Sequence, residues 1–457
     1  MRSRVALYLL LAPCVHAEGR PIAIVDVSVV PMDTERVIPH QTVVVVDARI
    51  AAIGAESLVR FPEATFKIDG RGKFLVPGLA DMHVHFVRPA APGQFQPSAS
   101  SDYAAENRVL ALLFVANGVT TVRNMWGHQA IQNLSKDIDK GKLIGPHIYS
   151  TGPISDGLPL IWEGSRAVET RAQAQEAARS DKESGYIAVK VYNQLSVEAY
   201  KALVAAAREE GLLSVGHVPN AVGLLGAIAA RQDSVEHLTG YPRALQPDGD
   251  TTAVRSPKEL LNRVDFSKLP AIAEAVRSAG IWNCPTLVLA GSRSNTLTLT
   301  EERSLVPTTI VERYEKAYPH WREDEDSARK ALATNIAITS ALHSAGAPLL
   351  LGTDTYKPNV LPGFSLHQEL QLFVRAGLTP YQAIRAGTID AARFLRREDE
   401  FGTVAVGRRA DLILLEANPL DDVANLAKRV GVLLNGQWLR SAEIQRQLTL
   451  LHTRAQH

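Results

Sequence analysis

The chain has only two cysteines, Cys14 and Cys284, among 457 residues. A disulfide framework is thereby excluded as its source of stability. It also lacks an excess of either charge: Lys and Arg number 49 against 48 Asp and Glu, for a net charge of +1. No basic field exists to draw in nucleic acid, and no acidic one to repel it. No apolar run reaches the length of a transmembrane helix. Repeats, coiled-coil heptads and low-complexity tracts are missing too, which leaves a purely structural scaffold without support. What is present is 46% hydrophobic and 21% charged residues, an ordinary globular composition. The length accommodates a (β/α)8 barrel of about 250 residues and a smaller satellite domain.

The first residues, Met1-Arg2-Ser3-Arg4 followed by the apolar segment Val5–Ala12, have the positive start and short hydrophobic stretch of a secretory signal. Val15-His16-Ala17 places small residues where cleavage needs them, so residues 1–17 are expected to be removed before Glu18 and the protein exported to a periplasmic or extracellular location. Pro13 directly before Cys14 argues against a lipoprotein site. Cleavage would leave Cys284 alone, and that residue reads as packed rather than reactive. An exported protein without disulfides must rest on a large core or on bound metal.

From residue 18 to 74 the chain alternates in β-type runs such as Ile24-Val25-Asp26-Val27 and Val43-Val44-Val45-Val46. The pattern returns from residue 400 to 457, in Leu412-Ile413-Leu414-Leu415 and Val430-Gly431-Val432-Leu433-Leu434. The two ends are expected to pair into one small β-sandwich. Between them, residues 75–399 alternate strand-like and helical segments, the pattern of βα units around a parallel sheet. Eight strands can be placed: 75–85, 119–125, 147–152, 187–192, 213–218, 234–238, 281–289 and 348–354. The expected fold class is therefore α/β, a TIM barrel with a β-sandwich built from both chain ends. The polar stretch between Leu289 and Asp324 is long for a βα loop, and following the seventh strand it should form a lid or substrate wall over the C-terminal face of the barrel.

The run Leu75-Val76-Pro77-Gly78-Leu79-Ala80-Asp81-Met82-His83-Val84-His85 organises the rest. In a strand His83 and His85 point to the same side, about 6.5 to 7 Å apart along the chain, and two imidazoles on one side can share a metal ion. One His-x-His is also what a strand end with structural histidines looks like. Further ligand-type residues at other strand ends shift that balance: His217 on the fifth, His237 on the sixth and Asp354 on the eighth. Lys190 sits within the apolar fourth strand, where an ionised ammonium is costly to bury. Such nitrogen and carboxylate ligands suit zinc, with cobalt or manganese as alternatives. Two divalent ions in one site need a bridging anion, and an ammonium has no lone pair to offer. A Lys190 carboxylated by carbon dioxide would supply one.

These residues carry a resemblance. The run 75–85, Asn117-Gly118-Val119-Thr120-Thr121-Val122-Arg123, Ser234-Val235-Glu236-His237, Gly352-Thr353-Asp354 and the later Gly407-Arg408-Arg409-Ala410-Asp411-Leu412 together resemble the amidohydrolase superfamily of metal-dependent hydrolases. Within it the chain looks like the imidazolonepropionase-like and prolidase-like (Xaa-Pro dipeptidase) branch. The resemblance implies that His83 and His85 bind one ion with Asp354 nearby, that His217 and His237 bind the other, and that carboxylated Lys190 bridges them. It implies hydrolysis of an amide bond by a metal-bridging hydroxide, with Asp354 as the catalytic proton carrier. Small substrates follow, such as a dipeptide or an N-acyl amino acid. The same site could serve an esterase, lactonase or phosphotriesterase. Loss of catalysis would leave a metal- or solute-binding protein. Tyr192, Tyr241 and Arg123 are candidates for substrate contact, while His128 and His147 stay unassigned. Neither a nucleic-acid partner nor, after leader removal, a membrane is expected, and homo-oligomerisation is left open.

Overall fold

The computed structural model describes residues 20–55, 57–87, 103–248, 257–293, 297, 299–306, 308–319 and 321–455. The expected leader at residues 1–17 lies outside them. Five strands open the fold: β1 (Ile22–Val29), β2 (Ile38–Val46), β3 (Arg49–Ala55), β4 (Phe66–Asp69) and β5 (Phe74–Pro77). β2 and β3 are a hairpin whose turn residues Asp47 and Ala48 both have positive φ, 49° and 60°, the geometry that suits the twist of paired strands. β1 serves two neighbours. Residues 22–25 run parallel to β4, whereas Ser28 and Val29 pair with β5. The changeover falls at Asp26, at φ 56°, where the β1–β2 register slips. This splits the sheet into layers around Ile24, Val27, Val43, Leu75, Leu412 and Leu433.

The barrel follows as β6 (Leu79–Val84), β7 (Val119–Asn124), β8 (His147–Asp156), a short β9 (Arg166–Ala167) beside it, β10 (Ala188–Val191), β11 (Leu213–Gly216), β12 (Ser234–Glu236) and β13 (Trp282–Cys284). Apart from β9, which lies off this path, these strands pair in parallel in that order. The segment 348–355 closes the ring. Leu350 N donates to Asn283 O on one side, while Met82 N donates to Leu351 O and Asp354 N to His83 O on the other, at 2.7 to 2.8 Å. Helices pack outside, including Tyr103–Ala116, Arg171–Glu183, Val197–Glu209 and Glu325–Ala345. Thr170 and Gln173 form a capping box at the start of one of them.

The chain ends return as β14 (Leu412–Leu415), β15 (Arg429–Leu434) and β16 (Gln437–Arg440), and β14 pairs antiparallel with β5. Both ends thus build one β-sandwich domain, and β5 belongs to it, so the barrel proper begins at Leu79. Gly78 makes the passage between them possible: a Cβ there would lie 2.1 Å from Thr120 Oγ1. The stretch after β13 contains helices, Leu287–Gly291, Thr300–Arg303 and Thr308–Ala317. No helix among the described residues is long and apolar enough to cross a membrane.

Candidate active site

Strand alternation brings the expected ligands to one rim of the barrel. His83 and His85 leave β6 on the same side, with ring centroids 5.4 Å apart. His217 and His237 follow β11 and β12, and their rings are 5.1 Å apart, with His237 4.4 Å from His83. Asp354 comes from the closing segment. Its Oδ1 lies 3.0 Å from His85 Nε2 and 3.5 Å from His83 Nε2, and its Oδ2 is 4.0 Å from His237 Nε2. Lys190, 1% exposed, lines the same cavity. The backbone is bent to make this fit. His237 and Asp354 have φ of 56° and 61°, a left-handed conformation that side chains other than glycine hold only where surrounding structure imposes it. Gly216, at φ 133°, lets the chain pass Val191 O, which would be 2.2 Å from any Cβ, and so delivers His217 to the rim.

Three of the four histidines are oriented from behind. His83 Nδ1 donates to Glu236 Oε2 at 2.8 Å and His217 Nδ1 to Asn193 Oδ1 at 2.7 Å. His237 Nδ1 donates to Thr286 Oγ1 at 2.7 Å, and because that hydroxyl gives its own proton to Pro285 O, it can only accept from the imidazole. With Nδ1 protonated, Nε2 of each ring carries the lone pair. His83 Nε2 is buried with no hydrogen-bond partner, a costly state unless a cation fills it. Nε2 of His83 and His85 and a carboxylate oxygen of Asp354 lie mutually close enough to hold one ion. The residues therefore fit a divalent metal.

The electrostatics agree. Burial, with Lys190 adding to it, holds His83 and His217 well below the usual imidazole range, and burial brings His85 and His237 down to about 4. All four imidazoles are neutral near pH 7, the form a metal ligand must take. Burial pushes the Asp354 carboxyl up, but Lys357, His237 and His85 outweigh it and hold the group well below the carboxylate range. Burial also lowers the Lys190 amine to about 8, against the pull of Glu236 and Asp354. A neutral amine is the form that can add to carbon dioxide.

The substrate candidates divide. Tyr192 lines the cavity, its ring 4.2 Å from that of His217 and its hydroxyl accepting from Trp162 Nε1 at 2.7 Å. Arg123 and Tyr241 do not. Arg123 is fully buried beneath the histidines, donating to Met82 O, Ser234 Oγ and both oxygens of Glu236. Tyr241 is buried with its hydroxyl on Asn283 Oδ1. A cation in the strand needed a buried anion and Glu236 supplies it; a tyrosine beyond the strand end was free to fold back into the core. His147 lies at the opposite end of the barrel, facing Asp411, and His128 precedes the helix Gln129–Asp139. Cys284 is buried, its carbonyl accepting from His237 N.

Sequence reasoning missed Glu236, Asn193 and Thr286, which orient the rings, and Asp81, whose carboxylate accepts from Thr353 N, Thr353 Oγ1 and His83 N. Glu236 and Asp81 had a signal, as acidic residues inside apolar strands; the other two had none. The cavity, about 820 Å³, is also walled by residues after β13, including Tyr314, Tyr318 and Trp321. Described residues of the 289–324 stretch thus wall the site.

Comparison with known proteins fits this geometry. The profile of the amidohydrolase family matches residues 74–439. Ochratoxinase of Aspergillus niger is 24% identical over 444 residues, spanning 84% of this chain and 79% of its own. Imidazolonepropionase of Mycolicibacterium smegmatis is 26% identical over 419 residues, covering 89% of this chain and 91% of its own. A solved structure from Bifidobacterium longum, assigned as a prolidase, superposes with a TM-score of 0.68 at 23% identity over 95% of this chain and 99% of that one.

Proposed function

We propose that this chain, which belongs to the amidohydrolase family, hydrolyses an amide bond in a small substrate of the dipeptide or N-acyl amino acid kind. The observation that carries the reading is the set of Nε2 atoms of His83, His217 and His237, each held by a partner on Nδ1 and gathered with His85 and Asp354 around one cavity. His83, His85 and Asp354 would hold one divalent ion and His217 and His237 a second, with carboxylated Lys190 between them; zinc suits the donor set. Such ions would acidify a bound water and draw electrons from the scissile carbonyl.

The chain's own groups do the rest. Asp354, held ionised chiefly by the Lys357 ammonium beside it, accepts a proton from the attacking water and passes it to the leaving nitrogen. Tyr192 stands on the cavity wall with its ring against that of His217, and its hydroxyl, which accepts from Trp162 Nε1, can donate to the carbonyl oxygen as charge develops. His83, Lys190 and Asp354 are buried, and that low-polarity setting strengthens these interactions. The match to the amidohydrolase family supports the bond class. Export through the N-terminal leader belongs to the same reading, and cell fractionation with N-terminal sequencing of the mature protein tests it.

The deciding experiment is a screen of the zinc-loaded protein against dipeptides, N-acyl amino acids, lactones and organophosphates. Turnover of amides is expected. Turnover of esters or phosphotriesters alone overturns the amidase reading, and binding of metal without turnover of any class makes this a binding protein.

A further inference from the structure

Glu369 is a buried carboxyl for which the site described above has no use. It sits on the helix Phe364–Arg375, is 0% exposed and does not line the cavity. Its two oxygens accept from two successive backbone N–H groups: Leu287 N donates to Oε1 at 2.8 Å and Val288 N to Oε2 at 2.7 Å. Burial pushes this carboxyl up to about 8, although both N–H groups draw it down. A side chain kept only to fill space would be cheaper there without a polar head. The position is therefore held for those two bonds.

What the bonds fix is the turn at Thr286. This residue follows β13 at φ 49°, a left-handed conformation that is rare for a β-branched side chain and persists only where neighbours impose it. Leu287 and Val288 are fully buried, so loss of the carboxyl would strand two buried N–H groups. The same turn carries the hydroxyl that accepts from His237 Nδ1 at 2.7 Å while donating to Pro285 O at 2.8 Å. The partners of the other oriented rings have support of their own: Arg123 donates to both oxygens of Glu236, and Asn193 presents a planar amide. A hydroxyl on Cβ has no second arm, and its place follows the backbone that carries it. A shift of Thr286 therefore frees the His237 ring.

We propose that Glu369 is a positioning residue for His237: by binding the N–H groups of Leu287 and Val288 it holds Thr286 in its left-handed turn, and Thr286 in turn fixes the ring with Nε2 toward the cavity. Glu369 touches neither substrate nor metal. The consequence for metal affinity rests on the reading of His237 as a ligand given above, whereas the consequence for the ring does not.

The test reads the ring directly, by nitrogen NMR of the metal-free full chain carrying 15N-labelled histidine. The chain has 13 histidines, and the signals lost in His237→Gln assign this one. In the parent its nitrogens should report a single Nδ1–H tautomer. They should move toward a mixture of tautomers in Thr286→Val, which removes the acceptor, and in Glu369→Gln, whose side-chain oxygen replaces only one of the two acceptors. Thr286→Ser should keep the parent's signals. Affinity for the more weakly held zinc ion should fall about tenfold in Glu369→Gln and in Thr286→Val, and no further when the two are combined, since both act on one ring. A glutamate that only supports the fold would lower stability in urea, leave His237 in its Nδ1–H form and add its loss to that of Thr286→Val; that result overturns the inference. Should Glu369→Gln not fold, Glu369→Asp, too short to reach both N–H groups, is read the same way. A parent that binds no zinc while its ring responds as expected defeats the metal reading and leaves this inference standing. A ring indifferent to Glu369 in a protein that binds zinc and turns over amides does the reverse.

Discussion

Nδ1 of His83 lies 2.8 Å from Oε2 of Glu236, and both side chains are completely buried. The other oxygen of Glu236 is 2.8 Å from Nη2 of Arg123. The carboxylate therefore orients the His83 ring and neutralises a guanidinium that has no access to water.

These two roles separate in mutants. Glu236→Leu should destabilise the protein by about 3 to 5 kcal/mol, because it strands a buried charge. Arg123→Met added to it should recover most of that loss in a denaturant titration. Metal affinity should stay about tenfold to hundredfold lower in both, since neither holds the His83 ring. Recovery of affinity in the double mutant would show that Glu236 does not orient the ring.

Asp354→Asn keeps the shape but cannot carry the proton. Turnover should fall by about a hundredfold to ten-thousandfold, with most of the metal retained by elemental analysis. Activity near that of the parent protein removes Asp354 from proton transfer.

Lys190→Met removes the proposed bridge. Metal content should drop from two ions per chain to one or fewer. The metal-free mutant should be at least as stable as the metal-free parent, because methionine fills the space without a buried amine to desolvate. Two ions retained would show that Lys190 does not bridge.

The interface of barrel and sandwich carries its own pH dependence. His147 Nε2 is 3.2 Å from Asp411 Oδ2, with Asp139 and Arg409 alongside. Burial alone would lower the His147 pKa, but Asp411 and Asp139 raise it above 6.5. Burial would raise that of Asp411, but His147 and Arg409 bring it below 3.8. The histidine's contribution to stability is complete below pH 6.5 and fades as pH rises through its folded-state value. That of Asp411 is complete above pH 3.8 and fades as pH falls through its own. The stability lost in His147→Gln should therefore be greatest between about pH 4 and 6.5 and should shrink toward pH 8. A difference that does not vary with pH in urea unfolding would mean that the pair is not ionised.

Much of the fold was legible because strand periodicity and residue chemistry are local. The β-branched runs at the two ends announced strands, and their pairing through β5 and β14 followed the pattern. His83, His85, Lys190, His217, His237 and Asp354 were each marked by being ligand-type or charged in an apolar run, and the structure gathers all six on one cavity. Arg123 and Tyr241 show where such reading fails. A polar residue at a strand end can turn to the cavity or to the core, and the choice depends on a partner more than forty residues away, as Asn283 and Glu236 are.

The sequence by itself determined the alternation of strands and helices and the supply of ligand-type side chains at the strand ends, since both follow from spacing along the chain. Tertiary structure alone decided which imidazole nitrogen faces the site, which tyrosine reaches the cavity and which residues after β13 wall it. Those outcomes depend on side chains from distant segments competing for the same space and the same hydrogen bonds, and nothing along the backbone records the winner.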